Sequence, residues 1–200
     1  MVLIRYYIFM TSLNIQSLLE RLSSLLRSES RNVLVQHGLQ PVQFEALHYL
    51  SICNHYSNTP MAVTEYLVQT KGTVSQTLKV LEKKGLIKKV PDKKDKRVTH
   101  LLLTPEGSRL VTTLLPAGML NQTCGEFSES ELATINLALT DLLKKHQQVN
   151  HFKSFGQCAS CIHHIKLEKQ QFFCNLTQEP LSNDDIEKIC REHQPNESAE

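Results

Sequence analysis

The clearest alternation of apolar and polar positions lies in the middle of the chain. Val74, Leu78 and Leu81 recur at helical spacing, so a helix over residues 71–85 would bury all three on one face. An apolar segment that begins at Met61 predicts another helix before it, after which the chain turns. The outward face of the second helix would carry side chains able to hydrogen-bond phosphates and the edges of DNA bases. These side chains are Thr73, Ser75, Gln76 and Lys79.

A charged β-hairpin is predicted directly after this helix. Gly85 suits the left-handed residue that commonly ends a helix. Two β-forming segments follow at residues 86–90 and 98–103, joined by the polar tip 91–97. Thr104 can then cap another helix.

Leucine-rich helical patterns flank this central region. Residues 12–35 carry a leucine stripe, residues 41–52 predict a buried helix, and Ser128 with Glu131 predicts a capping box that starts a helix ending near residue 147. The leucine stripe is too apolar for a solvated helix, so it packs either on its own domain or on a second subunit. The sequence predicts a mainly α fold.

Basic residues are concentrated in the predicted hairpin. Nine Lys or Arg and three acidic residues lie between Lys79 and Arg97, a net charge of +6, whereas the whole chain carries +2. Such a block is typical of a polyanion site, although a solvated lysine-rich hairpin is the alternative. The helix-turn-helix pattern beside it favours nucleic acid. The candidate phosphate contacts are Lys79, Lys88, Lys93, Lys94 and Lys96, and the candidate base-edge contacts are Thr73, Ser75 and Gln76.

A spacing signature identifies the family that this segment resembles. The pattern D-x-R-x5-L-T-x2-G is present without a gap, and the run at residues 81–87 matches as well. The segment resembles the winged helix-turn-helix of the MarR family of bacterial transcription regulators, over roughly residues 12–148. The matched positions are Asp95, Arg97, Leu103, Thr104 and Gly107.

The resemblance implies a winged helix-turn-helix DNA-binding domain with a helical dimerisation region. It implies a homodimer that reads a pseudo-palindromic double-stranded DNA operator through helix 71–85 and a basic wing at residues 86–103. Arg97 would enter the minor groove with Asp95 orienting it. It further implies a cytoplasmic, nucleoid-associated bacterial protein that does not act at a membrane, and it leaves open whether a small-molecule effector binds.

The ends of the chain lie outside the resemblance. Residues 1–11 form an N-terminal extension; its apolar part is too short to span a bilayer. A true start at Met10 is therefore expected, with a short membrane tether as the alternative. Residues 149–200 contain four of the six cysteines and too few apolar residues for an independent core, so a cross-link is expected there.

The spacing of Cys158, Cys161, Cys174 and Cys190 predicts a metal or iron–sulfur centre. A C-x2-C pair can grip one metal ion or cluster, and two distant cysteines complete four-coordination. Zinc ribbons usually have two C-x2-C pairs, so the lone third and fourth cysteines favour an iron–sulfur cluster over zinc. The spacing also loosely resembles small high-potential iron–sulfur modules. Free thiols or a redox disulfide are the remaining alternative, while Cys53 and Cys124 receive no such role.

Three functions compete at this point. The resemblance favours a DNA-binding transcription regulator, modulated by the centre in the tail. A redox or electron-transfer protein built on the four cysteines is the runner-up, and a membrane-tethered adaptor is the third. The sequence contains no catalytic triad order, paired-carboxylate motif, P-loop or dinucleotide fingerprint, so an enzyme is not expected.

Overall fold

Helices form most of the secondary structure of the protein. The computed structural model describes residues 2–115, 119–168 and 171–196. The mainly α fold class predicted from the sequence is confirmed. In chain order, the elements up to residue 149 are α1 (Val2–Gln36), α2 (Pro41–Ile52), α3 (Pro60–Tyr66), α4 (Lys71–Lys83), β1 (Ile87–Pro91), β2 (Thr99–Leu103), α5 (Pro105–Leu114), α6 (Met119–Cys124) and α7 (Glu129–Val149).

The core lies where α2, α4 and the antiparallel hairpin β1–β2 meet. Val74, Leu78 and Leu81 of α4 are almost completely buried, as their helical spacing predicts. They pack with apolar side chains of α2 and with Leu101 of β2. The core therefore holds α4 by one face and leaves its other face exposed.

Predicted capping residues set several helix ends. Thr104 Oγ1 accepts a hydrogen bond from Gly107 N–H at 3.1 Å as α5 begins, and Ser128 forms a reciprocal capping box with Glu131 at the start of α7. Gly85 follows α4 with a φ of +70°, a conformation that glycine adopts without steric cost. Local sequence is sufficient to position these three ends.

The helices differ from the sequence prediction at three places. The first helix begins at Val2 and not near Ser12, because the Ser12 hydroxyl donates to the Phe9 carbonyl inside the helix and does not cap it. The sequence after α5 predicts a linker at residues 121–127, yet helix α6 occupies its first part. Helical periodicity predicts Thr77 on the flank of α4, but the residue is buried. No helix among the described residues, α1 included, is long and apolar enough to cross a membrane.

Residues 155–196 form a small unit that we call the cysteine module. It contains a 3-10 turn at Cys158–Ser160, an antiparallel sheet in the order β3–β4–β5, and one short helix. The sequence at residues 182–185 predicts a cap for a helix that carries Ile189 and Cys190. Ser182 does cap a helix, but this helix ends at Glu187, before both residues. The elements are β3 (His164–Lys166), β4 (Phe172–Cys174), β5 (Glu179–Leu181) and α8 (Asn183–Glu187).

Gly107→Ala is expected to destabilise the junction between the hairpin and α5. A Cβ at residue 107 would lie 2.1 Å from the carbonyl oxygen of Leu86, and a backbone atom cannot move aside as the end of a flexible side chain can. Overpacking of this kind lowers the unfolding free energy by about 1–3 kcal/mol, which urea denaturation followed by circular dichroism would measure.

The matched control is Gly72→Ala in the first turn of α4. Its Cβ would have no atom nearer than the Thr70 hydroxyl at 3.9 Å, and alanine is the better helix former by up to about 1 kcal/mol. Equal unfolding free energies for the two variants would contradict the steric explanation.

Candidate nucleic-acid interface

The face of α4 opposite the core is exposed and polar. Thr73, Ser75, Gln76 and Lys79 all lie on it, so the structure brings together the side chains that the sequence indicated. The Thr73 hydroxyl lies 2.9 Å from that of Thr70, the N-cap residue of α4. The side chains of Ser75, Gln76 and Lys79 form no hydrogen bond or ion pair with other described residues. Their donors and acceptors therefore remain free for an external partner.

The tip of the hairpin is ordered by Asp92. Its carboxylate accepts the backbone N–H groups of Lys94 and Asp95 at 2.7 Å each, and the His100 ring lies 3.1 Å from it. The hydrogen bond from Asp95 N–H is the largest cause that lowers the pKa of Asp92, to about 2. The tip at residues 92–98 therefore has a defined backbone turn. We call β1, this tip and β2 together the wing.

Arg97 projects from the wing tip and is held by Asp95. The guanidinium donates from Nε at 2.9 Å and from Nη2 at 2.8 Å to the two carboxylate oxygens. This two-bond contact also lowers the pKa of Asp95. The Arg97 side chain is 90% exposed, so a planar cation is presented to solvent in a fixed direction.

The three lysines of the tip are all exposed but have different environments. Lys93 and Lys96 form no ion pair with other described residues. Lys94 forms an ion pair with Glu179 of the cysteine module, and the hydroxyl of Tyr56 donates to the same carboxylate at 2.6 Å. The ion pair raises the pKa of Lys94, and both contacts, with Lys94 the larger, lower the pKa of Glu179.

Sequence reasoning did not identify Tyr56 or Glu179. These residues are separated along the chain by 123 positions, and neither lies in a charge run or a motif. No periodicity or spacing signal connects them to the wing. Only the docking of the module reveals that one carboxylate joins it to a candidate phosphate-binding lysine.

The cysteine module is docked on the turn between α2 and α3, residues 54–58. Ile189 N–H donates to the Ile52 carbonyl at 3.0 Å, and Asn54 N–H donates to the Ile189 carbonyl at 2.9 Å. The ring of Phe155 packs edge-on against two tyrosines of the core. The module and the helix-turn-helix therefore share backbone hydrogen bonds and an apolar contact.

A partly shielded ion pair strengthens this docking. Arg191 donates from Nε and Nη2 to the carboxylate of Glu65 on α3 at 2.6 and 2.7 Å. Its backbone N–H also donates to the Ser57 hydroxyl at 2.8 Å. The Arg191 and Glu65 side chains are 28% and 29% exposed, so solvent screens the pair less than an ordinary surface pair. Arg191 is the principal cause of the lowered pKa of Glu65.

The four cysteines of the tail line one small cavity. Cys158 and Cys161 are buried, Cys174 and Cys190 are partly buried, and all four are free thiols. The cavity has a volume of about 30 Å³. Burial raises the pKa of Cys158 to about 12, with further contributions from the other three cysteines, so its thiol is neutral near pH 7 unless a metal displaces the proton.

The four thiols are not placed as a ligand set for a single metal ion. Among the described residues, no group of three or more Cys, His, Asp or Glu side chains could hold a metal ion. Cys53 lies in the core, where burial raises its pKa to about 12, as is usual for a structural thiol. Cys124 ends α6, apart from the cavity lining.

Comparison with known proteins identifies the fold of this interface. Residues 37–98 match the model of the MarR family. The uncharacterized HTH-type transcriptional regulator YsmB of Bacillus subtilis is 24% identical over 131 residues, which are 64% of this chain and 88% of YsmB. The transcriptional regulator HosA of Escherichia coli O157:H7 is 34% identical over 58 residues, 29% of this chain and 43% of HosA.

Solved structures agree with this similarity. Staphylococcus aureus MepR, in a complex with DNA, is 27% identical and superposes with a TM-score of 0.56 over 65% of this chain and 96% of MepR. The transcriptional regulator PA3341, 24% identical, gives a TM-score of 0.59 over 67% of this chain and 98% of its own. The fold is that of the MarR-type winged helix-turn-helix regulators.

The MarR-type relatives are transcription regulators and not enzymes. This similarity confirms the prediction from the sequence that the protein is not an enzyme, and it disfavours the electron-transfer alternative. The family model ends at residue 98, before the cysteine module. The module and the residues that line its cavity therefore have to be interpreted from their own geometry.

Proposed function

We propose that this protein is a homodimeric transcription regulator that binds a pseudo-palindromic DNA operator through α4 and the wing. The observation that carries the proposal is the exposed polar face of α4 beside a wing with unpaired lysines. The similar MepR structure contains DNA, which supports it. The expected location is the bacterial cytoplasm, at the nucleoid.

Each exposed side chain has a role in this proposal. Helix α4 enters the major groove, where Thr73, Ser75 and Gln76 hydrogen-bond base edges. The wing lies beside it, and Arg97, oriented by Asp95, enters the minor groove. Cations around these elements contact phosphates, which hold the protein in register without reading sequence. These cations are Lys79, Lys88, Lys93, Lys94 and Lys96.

Two exposed apolar helix faces support the homodimer. Helix α1 spans 35 residues, yet Leu34 is its one buried side chain among those described. Helix α7 has no buried side chain. Contiguous apolar surface of this kind is costly in water and typical of an interface. We assign both faces to a second copy, which would place two α4 helices on half-sites about one DNA turn apart. The faces include Leu18, Leu22 and Leu25 of α1 and Ile135, Leu139, Leu142 and Leu143 of α7.

A cavity between α1, α2, α5 and α6 is the proposed site for a small-molecule effector. Its volume is about 250 Å³. Leu34, Phe44 and Leu114 give it an apolar lining, and Ser30 adds a hydroxyl. Glu29 also lines the cavity. The volume is slightly below that of a typical drug-sized pocket, so a small effector with an apolar body and a polar group fits best.

The cysteine module provides a second input in this proposal. Glu179 occupies one N–H donor of Lys94 and neutralises its charge, so a DNA phosphate and this carboxylate compete for one ammonium group. A metal or iron–sulfur centre at the four cysteines would modulate DNA binding by changing how firmly the module presents Glu179.

Base-edge and phosphate contacts should respond differently to substitution. Gln76→Ala is expected to weaken operator binding by about 1–3 kcal/mol and to leave binding to random DNA nearly unchanged. Lys96→Ala should weaken both DNAs equally and reduce the salt slope of binding by about one unit, because one fewer counterion is released. Titrations by fluorescence anisotropy at several salt concentrations would measure both effects. The assignment of roles is wrong if the two variants have the same effect on the two DNAs.

Charges on the apolar face of α1 should separate the dimer. Leu18→Glu with Leu22→Glu would bury two unpaired carboxylates in the proposed interface, a strongly unfavourable change. Sedimentation velocity is expected to show a dimer for the parent protein and a monomer for the variant. Ser17→Glu with Ser24→Glu adds the same charge about a third of a turn around the helix from this face and should remain dimeric. A dimeric Leu18→Glu/Leu22→Glu variant would exclude this face.

Glu179→Gln is expected to release Lys94 and to raise affinity for any DNA sequence. Gln can still accept the Tyr56 hydrogen bond, so the change removes chiefly the ion pair. An exposed pair of this type corresponds to about 2- to 5-fold in affinity. Glu187→Gln, an exposed carboxylate on the same module, controls for the change in net charge. A gain that persists undiminished in the Lys94→Ala background would show that Glu179 does not act through Lys94.

A further inference from the structure

We propose that the cavity between Cys158, Cys161, Cys174 and Cys190 is the site of an iron–sulfur cluster that the four thiolates would hold. This inference does not depend on the DNA-binding function. It is carried by the placement of the thiols, the composition of the module around them and the unpartnered polar atoms in the cavity lining.

The thiol arrangement favours a cluster over a single ion. Four thiols from the 3-10 turn, β4 and the segment after α8 line one cavity. A tetrahedral zinc ion with Zn–S distances of about 2.3 Å would require its sulfur ligands to be in mutual contact. No three potential ligands among the described residues are placed in that way. A cluster distributes its thiolate ligands over two or more irons, so these ligands surround a volume and need not converge on one point.

Apolar side chains surround the four thiols of the cavity. Phe172 of β4 stacks on the His164 ring, with ring centroids 5.3 Å apart. Leu176 and Leu181 add apolar side chains to the lining. This apolar shell limits solvent access to the sulfur atoms, which helps to protect a cluster.

The module lacks an apolar core that could hold it together. Its strands have three residues each and α8 has five. Its buried apolar residues are Phe155, Cys158, Cys161 and Leu181, and two of these are the thiols themselves. Units of this size usually depend on a disulfide or a metal. All four cysteines are free, so a bound centre is the remaining cross-link.

Polar atoms at the cavity have the chemistry that a cluster needs. The ring nitrogens Nε2 of His163 and His164 are buried and have no hydrogen-bond partner among the described residues, an arrangement that is costly in an empty site. In the tautomer protonated at Nε2, each ring offers an N–H to a cluster sulfide. The backbone N–H of Gln194 already donates to Cys161 Sγ at 3.5 Å. Such bonds tune the reduction potential of iron–sulfur clusters.

Binding of the cluster involves no redox step by the protein. Each thiol releases its proton to solvent as its sulfur forms a bond to iron, and iron and sulfide are supplied from outside the chain. The four resulting thiolates then hold the module at four positions.

The test is the composition of the full-length protein purified without oxygen. We expect iron and acid-labile sulfide in equal amounts, about two to four of each per chain, with the broad visible absorption of thiolate–iron charge transfer. Cys174→Ser should lose both the absorption and the sulfide. Cys124→Ser, a cysteine outside the cavity, should retain them.

The outcomes separate the alternatives. One zinc per chain without sulfide would overturn the proposal in favour of a structural zinc site. No metal, even after reconstitution with ferrous iron and sulfide, would overturn it in favour of free thiols. Because an unfolded Ser variant would also lose a cluster, the composition of the parent protein and of the Cys124→Ser control decides the result. DNA binding is not part of the readout, so failure here leaves the proposed regulator function intact.

Discussion

The buried turn between α2 and α3 is the constraint on which the arrangement of the protein depends. Asn54, Ser57 and Asn58 are buried polar residues, and a buried polar group left without a partner costs about 1–3 kcal/mol. The carbonyl oxygen of Asn58 accepts Leu101 N–H from the wing at 2.7 Å. The Ser57 hydroxyl accepts the backbone N–H of Arg191 from the cysteine module. The turn therefore fixes the wing and the module against the same few residues.

The shared anchor on this turn explains why Lys94 and Glu179 are in contact. A single exposed ion pair contributes about 0–1 kcal/mol, too little to hold the module against the wing. The two groups meet because β2 and the module are each fixed on the turn by backbone hydrogen bonds. The ion pair is thus a consequence of the docking, and it is sensitive to any change in that docking.

The sequence predicted the features whose signals are local. Val74, Leu78 and Leu81 indicated the buried face of α4, and Thr104 and Ser128 indicated two helix starts, because helical spacing and capping depend on residues within a few positions. The sequence also predicted that the four cysteines of the tail would lie together. The spacing of the first pair is a local pattern that is typical of metal ligands.

The docking of the module could not be predicted in the same way. The residues at 54–58 looked like an ordinary polar loop, and their partners are about 40 and more than 130 positions away. The same separation hid Tyr56 and Glu179. The start of α1 was misjudged for a different reason: Ser12 has the side chain of a helix cap but bonds within a continuous helix.

Few residues separate the four-thiol cavity from the wing. Cys174 and Glu179 are directly paired neighbours on strands β4 and β5, so one strand pair separates a thiol of the cavity from the carboxylate that holds Lys94. Three-residue strands have little intrinsic stability, so a centre of the kind proposed above would stabilise them by joining the thiols. Under that proposal, loss of the centre would affect the strand pair before it affected the larger apolar core. Because the wing is anchored independently on the turn, its fold would persist while Glu179 moved, and the availability of Lys94 would be the property that changes.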